Sequence, residues 1–136
     1  MTRLGVLVVG CGNMGTSHAR AYHRLADDFR IVGLVARGAA SRERLAAEVG
    51  RPPTYADFET AYAATRPDVV SINTYPDTHA AIARAALKGG SHVFVEKPLA
   101  ETVAEAEEHR EGLVERDRHV QVAVAVEIGR GRAGRP

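Results

Sequence analysis

The feature that most restricts this chain is an apolar, β-branched run from Leu4 to Val9. It stops at Gly10-Cys11-Gly12-Asn13-Met14-Gly15 and passes at once into a helical pattern from Asn13 to about Ala26. A strand that turns through three spaced glycines into a helix has the outline of a phosphate cradle. Gly10 allows the tight turn, Gly12 leaves the backbone open to a pyrophosphate, and Gly15 lets the helix pack against the strand. Amides of the first helical turn, at Asn13, Met14 and Gly15, then face the phosphates, and the helix dipole favours negative charge there. Residues 10–15 are therefore expected to bind a dinucleotide. Cys11, inside the loop, reads as a small, soft filler rather than a reactive thiol.

The rest of the chain alternates short apolar runs with helical patterns. Ile31–Ala36 is a second strand. Ser41–Val49 is a helix with Ser41 as N-cap and Gly50 just past its end. Thr54-Tyr55 is a short third strand, and Asp57 caps a helix over Phe58–Ala64 that Pro67 limits. Val69–Asn73 is a strand, Pro76–Lys88 a helix closed by Gly89-Gly90, and His92–Glu96 the next strand. Thr102-Val103-Ala104-Glu105 resembles a capping box opening a helix to about Arg116. Val120–Val126 is the last strand. The nearly continuous apolar runs suit strands buried on both faces. Strand–helix alternation predicts right-handed crossovers and an α/β fold with a doubly wound, mostly parallel sheet, the Rossmann dinucleotide-binding arrangement. One domain is expected over residues 1–128, followed by a mobile Arg/Gly-rich tail over 129–136.

Composition supports a globular domain and little else. The chain has 136 residues, of which 45% are hydrophobic and 26% charged, and a formal net charge of +1. That charge favours neither a nucleic acid nor a membrane surface as partner. Arg130, Arg132 and Arg135 form a short basic tail without interleaved aromatics, which reads as solvated rather than nucleic-acid-binding. No apolar run approaches the roughly 20 residues that span a bilayer. A lone cysteine allows no internal disulfide, and the N-terminus lacks a signal-peptide layout, so a cytoplasmic location is expected. His18, His23, His92, His109 and His119 show no metal-ligand spacing and read as surface or packing residues; no metal is expected.

The end of the second strand bears on cofactor choice. Sites selective for NAD place an acidic residue there, about 20 residues past the loop, on the ribose 2′-hydroxyl. This chain has Val35-Ala36-Arg37-Gly38. Arg37 suits a 2′-phosphate through charge-assisted bonds, with Arg42, Arg44 and Ser41 close behind. NADP is expected in preference to NAD.

Two further segments, Asn73-Thr74-Tyr75-Pro76-Asp77-Thr78-His79 and Gly90-Ser91-His92-Val93-Phe94-Val95-Glu96-Lys97-Pro98-Leu99-Ala100, carry a resemblance. With the glycine loop, they resemble the Gfo/Idh/MocA family, which includes glucose–fructose oxidoreductase and inositol dehydrogenase. The likeness runs from about Leu4 to about Val126. It implies an NAD(P)-dependent oxidoreductase acting on CH–OH groups of sugars, cyclitols or related polyols. It places Thr74 and His79 near the cofactor and Glu96 and Lys97 at the nicotinamide end. It also implies that Lys97 is catalytic, placing the reacting hydroxyl or carbonyl and taking part in proton transfer. A lysine can do this with its pKa lowered by burial, or as an ammonium opposite developing negative charge.

The chain departs from that family in two ways. Tyr75 stands where proline is common, and its ring is placed either to stack on the nicotinamide or to narrow its pocket. Family members also continue into a second α/β domain that supplies most of the substrate pocket. The expectation is that this second domain is absent from the 136 residues and that the chain alone is inactive, with a homo-oligomer or partner chain completing the site. The alternative is a non-catalytic NADP(H)-binding regulatory module or a shortened gene product.

Overall fold

The computed structural model describes residues 2–96 and the backbone of 122–124. Among the described residues the elements run in order β1 (Leu4–Val9), α1 (Asn13–Arg24), β2 (Phe29–Val35), α2 (Ala39–Glu48), β3 (Thr54–Tyr55), α3 (Phe58–Thr65), β4 (Val69–Ile72), α4 (Pro76–Lys88), β5 (His92–Val95) and β6 (Val122–Val124). The expected helix over 102–116 and the tail over 129–136 lie outside the described residues.

The sheet has six strands in the order β3-β2-β1-β4-β5-β6, and every pairing is parallel. The chain winds outward from β1 to one edge, then returns to the centre and winds to the other. Strand order reverses between β1 and β4, the switch point where open α/β sheets bind ligands.

Alternation along β1 shows why the strand is apolar throughout. Leu7 and Val9 join a cluster with Phe58, Ala61, Ala83 and Leu87 on the α3–α4 face. Val6 and Val8 join Ala19, Leu45, Ala46 and Val49 on the α1–α2 face. All four β1 residues are buried. With both faces covered, none of these four positions alternates outward to water.

Local signals set most boundaries. Asp57 caps α3 as expected, its Oδ1 accepting from the Thr60 amide at 2.8 Å and its Oδ2 from the Thr60 hydroxyl at 3.0 Å. Gly50 ends α2 with φ +84°. Ser41 does not cap α2. The helix starts earlier, at Ala39 with Gly38 as N-cap, and Ser41 Oγ donates to the Gly38 carbonyl at 3.0 Å. A hydroxyl three residues into the helix reaches back to the cap carbonyl, whereas a capping hydroxyl would accept from an amide ahead of it.

Candidate cofactor site

The carboxyl edge of the sheet brings four loops into one row. Ladder hydrogen bonds continue one residue beyond the strands: Gly10 N donates to Val35 O at 2.8 Å, Asn73 N to Val9 O at 2.8 Å and Glu96 N to Ile72 O at 2.9 Å. Ala36 N likewise donates to Tyr55 O at 3.1 Å. Ala36, Gly10, Asn73 and Glu96 therefore stand side by side across β2, β1, β4 and β5. The loops of residues 10–15, 36–38 and 73–75 converge at this edge, and Glu96 is the last residue described before Lys97. Lys97 itself lies outside the described residues.

The glycines differ in what a side chain would meet. Gly10 has φ +96°, and a Cβ there would lie 2.6 Å from the Asn73 carbonyl oxygen. A Cβ on Gly15 would collide with the Gly10 carbonyl oxygen. A Cβ on Gly12 would meet nothing within 4 Å. Packing thus requires glycine at positions 10 and 15, while at position 12 the space above the backbone is empty. Gly12 also caps α1, which has no side-chain cap bond and no acidic residue in its first turn. The positive end of α1 is left open over that empty space. A pyrophosphate fits this cradle in charge and in room.

The β4–α4 loop is held from within. His79 is buried, and its Nε2 donates to the Thr74 carbonyl at 2.8 Å. The Thr74 and Thr78 hydroxyls meet at 2.6 Å, and Thr78 Oγ1 donates to Tyr75 O at 2.9 Å. The histidine thus braces the loop, and the Tyr75 ring projects from it, 84% exposed. Met14 is also exposed. Arg37 is exposed at the end of β2, and its guanidinium makes no hydrogen bond or ion pair with a described residue.

Cys11 is buried, and its Sγ donates weakly to Val35 O at 3.5 Å. Burial pushes its thiol up to about 11, against a smaller opposing pull from the Arg42 charge. The neutral thiol fills space, as expected.

Residues 4–124 match the model of GFO_IDH_MocA, described as an oxidoreductase family with an NAD-binding Rossmann fold. The chain belongs to the Gfo/Idh/MocA family. It is 36% identical over 104 residues to an inositol 2-dehydrogenase of Gluconacetobacter diazotrophicus, a match covering 75% of this chain and 31% of that protein. Among solved structures it superposes on the UDP-N-acetylglucosamine 3-dehydrogenase of Acidithiobacillus ferrooxidans with TM-score 0.78 and 29% identity. That match covers 91% of this chain and 38% of the other. GenD2 from gentamicin A biosynthesis, solved in complex with NAD, gives TM-score 0.79 and 30% identity, covering 92% and 34%. The chain spans about a third of the length of the curated relatives it matches.

Within this Gfo/Idh/MocA chain His18, expected as a surface or packing residue, packs its ring tilted on Phe94 and also has a polar partner at this edge, its Nε2 lying 2.9 Å from Glu96 Oε2. The signal was its spacing. Gly15, His18, Ala19 and Tyr22 share the inward face of α1, so a polar side chain at position 18 needs a partner. No group of three or more metal-binding side chains exists among the described residues. No described helix is long and apolar enough to cross a membrane. A cavity of about 390 Å³ lined by Tyr62, Arg66, Asp68 and His92 belongs to the opposite, amino edge of the sheet.

Proposed function

We propose that this chain is the cofactor-binding half of an oxidoreductase that moves a hydride between a nicotinamide dinucleotide and a sugar, cyclitol or related polyol. The observation that carries the reading is the cradle at Gly12, empty above the backbone and faced by the uncapped start of α1. Gly10, Gly12, Asn13, Met14 and Gly15 hold the pyrophosphate. Thr74, Tyr75 and the loop braced by His79 border the nicotinamide ribose. The inositol and sugar-nucleotide dehydrogenases among the relatives support the substrate class.

NADP is the preferred cofactor in this reading. Arg37 is exposed at the end of β2, and no carboxylate lies in the segment Val35–Gly38 to take a ribose 2′-hydroxyl. Its guanidinium pairs with the 2′-phosphate.

The bound nicotinamide supplies the hydride acceptor or donor. Lys97 takes or returns the proton of the reacting hydroxyl, and Glu96 anchors the strand end that precedes it. A second domain or partner chain supplies the substrate pocket, and the protein works in the cytoplasm. Titration with NADPH and NADH tests the cofactor assignment: NADPH binds more tightly, and Arg37→Ala removes the difference. A clear preference for NADH in the unaltered chain contradicts the role of Arg37. In a protein carrying both halves, Lys97→Ala abolishes turnover while cofactor affinity persists; equal loss of both contradicts a catalytic Lys97.

A further inference from the structure

The loop after β2 is gripped by a second arginine. Arg42, in the first turns of α2, turns back on the strand end, and its Nη1 donates to the carbonyls of Ala36 at 3.0 Å and Arg37 at 3.2 Å. Those two carbonyls belong to the peptide planes on either side of the Arg37 Cα. A peptide unit is planar, so fixing both planes fixes the two backbone dihedrals of Arg37 and with them the direction of its Cβ. The Arg42 Nε is buried with no hydrogen-bond partner among the described residues. Its charge also reaches Cys11 in the glycine loop. The Arg42 side chain thus folds back on the strand end with its Nε buried, whereas the Arg37 side chain is exposed.

We propose that Arg42 is a positioning residue for recognition of a 2′-phosphorylated adenosine: by clamping both peptide planes that flank Arg37, it sets the direction in which the Arg37 guanidinium meets the phosphate. The inference rests on the assignment of Arg37 to the 2′-phosphate. It assigns Arg42 no contact with the ligand. Both bonds come from Nη1, whose two hydrogens the planar guanidinium holds in fixed directions; a flexible ammonium on a shorter stem neither reaches the same point nor holds its donors in those directions.

A double-mutant cycle on the 136-residue chain tests it. The probes are adenosine 2′,5′-bisphosphate and adenosine 5′-monophosphate, which differ only in the 2′-phosphate, and the readout is the ratio of their dissociation constants. In the unaltered chain the ratio favours the bisphosphate, and Arg37→Ala abolishes the preference. Arg42→Gln lowers the ratio roughly tenfold, the scale of one charge-assisted hydrogen bond. In the Arg37→Ala background the same change moves it less than about twofold, because the two residues act through one contact. Arg42→Lys, which keeps the charge and serves as the second variant where the Gln form does not fold, also loses most of the preference. Three results overturn the proposal: a wild-type ratio in Arg42→Gln, a wild-type ratio in Arg42→Lys, or an equal loss with and without Arg37. A chain with no preference for the 2′-phosphate at all overturns the Arg37 assignment, and the clamp with it. A preference lost in Arg37→Ala but kept in Arg42→Gln overturns the clamp alone.

Discussion

His18 and Glu96, 78 residues apart in sequence, meet with 2.9 Å between Nε2 and Oε2 at the carboxyl edge of the sheet. The contact ties α1, which opens at the glycine loop, to the end of β5, from which the chain continues into Lys97. Both side chains are mostly buried, at 21% and 14% exposure. The pair is therefore shielded from the screening that makes surface pairs nearly worthless. His18→Ala and Glu96→Ala are each expected to lower unfolding free energy by about 1 kcal/mol or more, with a coupling of about 1 kcal/mol in the double-mutant cycle. Urea denaturation measures all four proteins. Simple additivity would show that the two side chains are neighbours without being partners.

The glycines predict opposite outcomes for the same substitution. Gly15→Ala places a methyl group against the Gly10 carbonyl, and the loop has to move. A loss of about 1–3 kcal/mol of stability follows, together with dinucleotide binding. Gly12→Ala meets empty space at φ −78°. Its stability stays within about 0.5 kcal/mol of the unaltered chain. Its dinucleotide affinity falls by roughly tenfold or more, since the methyl group occupies the room left for the pyrophosphate. Thermal melts beside cofactor titrations separate the two effects.

Cys11 predicts a specific pH dependence. Its thiol is pushed from 9.0 up to about 11 in the folded protein. Below pH 9 the thiol is protonated folded or unfolded, and it contributes no slope. Above pH 9 the unfolded chain releases the proton and the folded chain keeps it. Stability then falls by roughly 1.4 kcal/mol per unit until the folded thiol also ionises. Unfolding curves between pH 8 and 11 should show this excess loss in the unaltered chain and lack it in Cys11→Ala. At pH 8 a thiol reagent should react with the unfolded chain far faster than with the folded one.

Tyr75 has φ −68° and ψ 149°, values that a proline adopts without strain. Tyr75→Pro is expected to raise stability by up to about 1 kcal/mol by restricting the unfolded chain. The ring is exposed, so little packing is lost. Differential scanning calorimetry checks the sign; a large destabilisation would show that the ring or its amide carries a contact.

Much of this fold could be read from the sequence because its signals are local. The β-branched run before Gly10, the Asp57 cap, Gly50 and the Gly89-Gly90 stop each act within a few residues of where they stand. The start of α2 is not legible because Ser41 has two local uses, cap acceptor or donor to the preceding turn, and propensity does not separate them. The His18 contact is not legible because its partner is distant in sequence. The clamp of Arg42 on Ala36 and Arg37 was hidden for another reason: it depends on side-chain direction, which charge and spacing do not specify. The assignment of Lys97 comes from resemblance alone, and the residue lies outside the described part of the chain.

The proposed site holds a dinucleotide at the carboxyl edge, over Gly12. Amide chemical shifts of the labelled chain during titration with NADPH test it most directly. The largest changes are expected at Cys11–Gly15, then at Ala36–Gly38 and Asn73–Tyr75. Saturable binding that leaves those amides unmoved, or that shifts Tyr62, Arg66 and His92 at the opposite edge instead, would contradict it.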